Sequence, residues 1–153
     1  MHLVELKNYE IDVPRITEIA KEAEEFAVSY KDSRYPGYDF SWWRISEYKH
    51  SELKKIADDF GIEYKPRFYW LSANYTLPPH VDNDTKCSIN FVLSPNPAPV
   101  NVEGIDYFYT KGILNTSVLH SVQNKGHEER LLLKFSIFNE SIEKVVSRNS
   151  KFL

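Results

Sequence analysis

The chain has 153 residues, with 19 Lys and Arg against 22 Asp and Glu and a formal net charge of −3. That length suits one domain able to bury a core, and the lack of a basic block disfavours non-specific nucleic-acid binding, which needs a positive footprint. The single cysteine, Cys87, excludes an internal disulfide, and neither a signal peptide nor an apolar run of membrane-spanning length is evident, so a soluble cytoplasmic protein is expected.

In chain order, "LVELKNYEI" (3–11) alternates apolar and polar residues and predicts a first strand. Pro14 suits the first turn of a helix. After it, Ile16, Ile19, Ala20, Ala23, Phe26 and Ala27 recur at three- and four-residue steps, predicting an amphipathic helix with an acidic outer face. "KDSRYPGYDF" (31–40) is a loop centred on Pro36-Gly37. A second helix is expected over "SELKKIADDFG", with Ser51 as N-cap and Gly61 at its end. From residue 62 onward the character is β. Strands are predicted in "EYKPRFYWLSANYT" (63–76), "KCSINFVLS" (86–94), "IDYFYT" (105–110), "GILNTS" (112–117) and "ERLLLKFSIFN" (129–139). Their spacing argues for a sandwich or barrel with the two helices outside. The aromatic content of 14% fits either a β-rich fold or an aromatic pocket. One domain is expected: a helical N-terminal part (1–62), a β core (63–139) and a C-terminal tail (140–153), loosely held over "SRNSKFL".

Chemistry concentrates at "LPPHVDNDTKCSINF". In an extended segment, residues i and i+2 share a face, so His80 and Asp82 can offer an imidazole nitrogen and a carboxylate oxygen to one ion while Val81 points into packing. Pro78 and Pro79 stiffen the approach. Alone, His-x-Asp is a common chance pair. His120, after the strand-like "GILNTSVL" and before the turn "NKGHEE", is the candidate third ligand, with a surface histidine at a strand end as the alternative. Two histidines and one carboxylate leave three positions open on an iron, as in non-haem Fe(II) oxygenases. His2, His50 and His127 read as structural or solvated. Arg130 lies ten residues after His120 and carries a fork-shaped donor suited to a carboxylate. A surface salt bridge is its ordinary alternative. Alternation sets Arg130, Leu132, Lys134 and Ser136 on one strand face and Leu131, Leu133, Phe135 and Ile137 on the other. Lys134 is a rival anion anchor, disfavoured as a buried lysine without a partner.

His80-x-Asp82, His120 and Arg130 together resemble the Fe(II)/2-oxoglutarate-dependent dioxygenase superfamily, over roughly residues 66–139. The texture is similar to that of small prolyl-hydroxylase-like members and of small phage and marine bacterial oxygenases. "HSVQNKGHEERLLLKFSI" also resembles the aspartyl/asparaginyl β-hydroxylases, with His120, Asn124 and Arg130 at matching steps, although that branch typically lacks the carboxylate that Asp82 supplies. Ser136 stands where nucleic-acid dealkylating members carry a further arginine, which weakens that reading.

The resemblance implies a mainly β fold with N-terminal helices, a double-stranded β-helix (jelly roll, cupin-like). It further implies Fe(II) on His80, Asp82 and His120, and 2-oxoglutarate with its distal carboxylate on Arg130. O2 would be the second co-substrate, with succinate and CO2 released and a substrate C–H bond hydroxylated. Tyr69, Tyr75, Asn90 and Ser136 are further candidates for contact with 2-oxoglutarate, each equally explicable as an ordinary polar or edge residue. Trp42, Trp43 and Arg44 could form a substrate platform. A small molecule or peptide is the expected substrate; the oligomeric state is left open. A cupin-like binding domain without turnover, or a Zn(II) hydrolase or isomerase using the same ligands, are the alternatives, and neither requires Arg130.

Overall fold

In a computed structural model, residues 1–31, 36–37, 40–95 and 98–153 are described. Asp12 caps the first helix, its Oδ1 accepting from Arg15 N at 3.2 Å, and α1 runs over Val13–Glu24 with a proline in its first turn. Before it lies β1 (Leu3–Glu5). After it come β2 (Val28–Tyr30), β3 (Phe40–Glu47), α2 (Ser51–Phe60), β4 (Pro66–Leu71), β5 (Thr76–His80), β6 (Cys87–Val92), β7 (Val100–Val102) and β8 (Ile105–Tyr107). The chain continues through β9 (Lys111–Leu114), β10 (His120–Gln123), β11 (Arg130–Ile137) and α3 (Ile142–Arg148), ending in a 3-10 turn at Ser150–Phe152.

Among the described residues, the strands form two sheets. The larger has seven strands in the order β1-β9-β6-β11-β4-β3-β2, and the smaller has four in the order β5-β10-β7-β8. Every described pairing is antiparallel. One face of the large sheet packs under the helices, where Ile16 and Ile19 of α1, Leu53 and Phe60 of α2 and Val145 of α3 meet Phe68, Phe91, Leu133 and Phe135. The other face meets the small sheet through Tyr69, Leu71, Val92 and Leu132 against Val100, Val102 and Val122. Each fully buried side chain of this size contributes about 1.5–3 kcal/mol of transfer free energy.

Several expectations need correction. The first strand stops at Glu5, and α1 ends at Glu24, because residues 28–30 pair with β3 instead of extending the helix. The stretch containing "SWWRISE", given no state from sequence, is β3, a full member of the large sheet. The N-terminal part is therefore sheet as well as helix. His50, not Ser51, caps α2, with its Nδ1 accepting from Glu52 N at 3.2 Å; Gly61 ends that helix with φ +65°. The expected strand 63–76 is broken at residues 72–75, where Asn74 has φ +63°. Most of the expected loop 31–40 (residues 32–35 and 38–39) lies outside the described residues. The C-terminal residues form α3 and a 3-10 turn in place of a loosely held tail. Ile142 and Val145 are buried, and Asn149 Nδ2 donates to Phe60 O and Val145 O. Among the described residues, no helix is long and apolar enough to cross a membrane.

Candidate metal centre

The site begins with a pairing register. β5 and β10 are antiparallel neighbours in which His80 lies directly opposite His120, bringing the two rings to 4.3 Å between centroids. Asp82 follows just beyond the end of β5, where its backbone N–H donates to Thr116 O at 3.2 Å. His80, Asp82 and His120 each offer one ligand atom, and these atoms lie within 4.8 Å of one another. Asp82 Oδ1 is 3.3 Å from His80 Nε2 and 3.4 Å from His120 Nε2.

Both imidazoles are oriented in the same way. His80 Nδ1 contacts Pro78 O at 2.7 Å, and His120 Nδ1 contacts Val118 O at 2.8 Å. A carbonyl oxygen only accepts, so Nδ1 carries the proton in each ring. Nε2 of each ring therefore faces Asp82 Oδ1 and is the atom left to ligate a metal, as metal-binding histidines require.

The other carboxylate oxygen is held from the opposite side. Asp82 Oδ2 accepts from Thr85 Oγ1 at 3.0 Å and from Lys134 Nζ at 3.1 Å. Burial by itself would raise the Asp82 carboxyl. The Lys134 ammonium and hydrogen bonds from His120 and His80 outweigh burial and hold it well below the usual carboxylate range. For Lys134, burial acts downward, but Tyr69 and Asp82 keep the ammonium above its ordinary value. The objection that Lys134 would be buried without a partner is thus overturned, because it has a carboxylate partner and lies 5.5 Å over the Tyr69 ring.

Arg130, the first residue of β11, opens onto the same cavity of about 330 Å³ as His80, Asp82 and His120. It is 5% exposed, and among the described residues its Nε and Nη2 have no hydrogen-bond partner. Burying an unmatched donor is costly, so such atoms call for an acceptor that enters the cavity. The turn before Arg130 is fixed by Asn124, whose Nδ2 donates to Leu71 O, Ser72 O and Glu128 O while its Oδ1 accepts from Gly126 N. In this chain Asn124 holds a turn and does not line this cavity.

Of the further candidates, Tyr69, Asn90 and Ser136 line the cavity. Asn90 accepts from Ser88 Oγ at 2.8 Å and donates to Tyr109 Oη at 3.0 Å. Tyr75 does not reach it. The turn at 72–75 interrupts the alternation that would have carried Tyr69's face forward, and Tyr75 stacks on Trp42 at 5.6 Å, 49% exposed. Val81, expected in packing, is exposed at the cavity mouth, because the strand ends at His80. Of the proposed platform, Trp43 alone lines the cavity, between Tyr30 at 3.9 Å and Tyr69 at 5.8 Å; Arg44 lies over Trp70 and pairs with Glu24 and Glu129.

His127 is exposed, and His2 contacts Tyr107 and Glu103. Thr85 and Tyr109 were missed from sequence. Thr85 carries a local signal, a hydroxyl three residues after an aspartate, which favours a side-chain-bonded turn. Tyr109 has none, since it follows β8 in a connecting segment.

Two layers of antiparallel strands, with the candidate ligand residues at the start of one inner strand and the end of its neighbour, define the architecture. The fold is a double-stranded β-helix. Among solved structures, the chain is similar to a Pseudomonas putida prolyl-4-hydroxylase, at 12% identity over 91% of this chain and 93% of that one, with a TM-score of 0.63. It is also similar to an oxidoreductase of the 2OG-Fe(II) oxygenase family from Burkholderia pseudomallei, at 12% identity over 86% and 82% of the two chains, with a TM-score of 0.55. Likeness at that identity establishes a shared double-stranded β-helix. No family model matches the sequence, and no curated protein does.

Proposed function

We propose that the protein is an Fe(II)- and 2-oxoglutarate-dependent oxygenase that hydroxylates a C–H bond of an amino-acid, peptide or small-metabolite substrate, releasing succinate and CO2. One observation carries this reading: a cavity holds both the two-histidine, one-carboxylate cluster and a buried guanidinium with two nitrogens unmatched among the described residues. Two imidazoles and a carboxylate suit a divalent first-row metal with open positions, and an arginine fork suits a carboxylate. Bound iron, with 2-oxoglutarate and O2, would supply the oxidising chemistry.

The chain's own residues have separable tasks. His80 and His120 present Nε2 to the metal, and Asp82 presents Oδ1. Arg130 takes the far carboxylate of 2-oxoglutarate. Trp43 and Tyr69 line the cavity beside the ligand cluster, offering aromatic surface to a substrate. A small molecule or peptide, rather than nucleic acid, accords with the formal net charge of −3.

The test is succinate formation from 2-oxoglutarate with Fe(II) and ascorbate, comparing the native protein with Asp82→Ala, alongside anaerobic calorimetry. Binding of both Fe(II) and 2-oxoglutarate by the native protein is expected, with both succinate formation and metal binding lost in the variant. Failure to bind either would overturn the reading. Tight Zn(II) binding without affinity for 2-oxoglutarate would instead favour the hydrolase or isomerase alternative.

A further inference from the structure

We propose that Lys134 is a second anion-binding residue of this cavity, which leaves Asp82 one oxygen for the metal and donates to the carboxylate of a 2-oxo acid bound beside it. This inference rests on the proposed function and assigns a residue to a distinct part of the ligand.

The first argument is how Asp82 is divided. Both histidine Nε2 atoms face Oδ1, at 3.3 and 3.4 Å, whereas Thr85 and Lys134 both bond Oδ2, at 3.0 and 3.1 Å. Oδ2 is therefore occupied from the protein side, and Asp82 can ligate through Oδ1 alone, which keeps further metal positions open.

The second argument is charge. Thr85 could restrain Oδ2 without introducing a cation, yet the chain puts an ammonium 3.1 Å from the carboxylate. Lys134 is 15% exposed, Arg130 is 5% exposed, and among the described residues Asp82 is the one anion bonded to either. The remaining charged groups of the cavity do not offset them: Arg67 pairs with Glu47, and Lys31 and Asp84 are exposed. Adding a divalent ion leaves the interior strongly positive, and like charges repel most where water is scarce. A dianionic ligand restores the balance.

The third argument is spacing. Arg130 and Lys134 lie four residues apart on one face of β11, roughly 13 Å between Cα atoms in a strand. They enter the cavity from separate levels and suit the two ends of one dicarboxylate. An ammonium has three donors, and Asp82 is the one acceptor bonded to Lys134 among the described residues.

The test uses Mn(II) as a redox-inert ion and two acids, 2-oxoglutarate and 2-oxobutyrate, the latter lacking the distal carboxylate. Calorimetric titration of Lys134→Met is expected to show both acids weakened by the same factor, roughly tenfold or more. Arg130→Met should weaken 2-oxoglutarate and leave 2-oxobutyrate unchanged. Lys134→Arg, which keeps the positive charge on a side chain of similar length, should retain 2-oxobutyrate binding within a few-fold and serves as the folding control. Unchanged 2-oxobutyrate affinity in Lys134→Met overturns the inference while the proposed function stands. So does a loss confined to Mn(II), which would make Lys134 a residue that only positions Asp82. If the native Mn(II) protein binds neither acid, both readings fall together.

Discussion

β11 presents two faces that share a backbone and differ in chemistry. Leu133, Phe135 and Ile137 point to the helix side and are no more than 4% exposed, packed with α1, α2 and α3. Arg130, Lys134 and Ser136 point the other way into the cavity and are polar; Arg130 and Ser136 are buried and Lys134 is half-buried, and among the described residues two guanidinium nitrogens are unmatched. A strand covered on both sides ordinarily reads as a continuous apolar run. Polar residues on its second face therefore mark an interior that is meant to be filled by something other than the chain. The helix-side face should govern folding and the cavity face ligand binding.

The strongest way to break that division is to remove a proposed metal ligand. His120→Ala should weaken divalent-metal binding by more than about a hundredfold, the upper range for losing a mere outer partner of a ligand, while circular dichroism of the metal-free protein stays native. Next comes the opposite face. Leu133→Ala, at a fully buried position, should cost about 2–5 kcal/mol in urea unfolding and leave the metal affinity of the folded protein within about twofold. A variant that lost metal affinity as His120→Ala does would collapse the distinction.

Arg130→Met sharpens it with a change of sign. Binding of 2-oxoglutarate should fall by roughly ten- to a hundredfold, the worth of hydrogen bonds to a charged group. The ligand-free protein should melt no lower than the native one, because the substitution removes two unmatched buried donors. A lower melting point with unchanged 2-oxoglutarate binding would make Arg130 a structural residue. The smallest effect concerns Cys87, which packs on the helix side. Burial, with Glu140 and Glu143 nearby, pushes its thiol up to about 12. The thiolate is the reactive form, so the folded protein should resist a thiol reagent at pH 8 and react at once when unfolded.

Legibility divided along the same lines. The alternation of β11 was readable because strand periodicity is a local property, and it assigned all eight residues to their faces. The helices at Pro14 and before Gly61 were readable for the same reason. Elements whose state depends on a distant partner were not. Residues 28–30 continue a helical pattern and become a strand because β3 offers a pairing edge. Tyr75 shares parity with Tyr69, but the turn between them sends it out to Trp42. Lys134 was disfavoured as an anion anchor for want of a partner, and that partner is 52 residues away in sequence.

The sequence by itself determined the ligand types, the i, i+2 relation of His80 and Asp82, the ten-residue step from His120 to Arg130 and the β-rich core that carries them. These depend on residue chemistry and on backbone repeats a few residues long. Only the tertiary structure decided that His80 lies opposite His120, that Asp82 gives one oxygen to the histidines and the other to Lys134, and that Arg130 is enclosed with nitrogens unmatched. Those facts follow from strand register and burial, which are set by contacts between segments far apart in the chain.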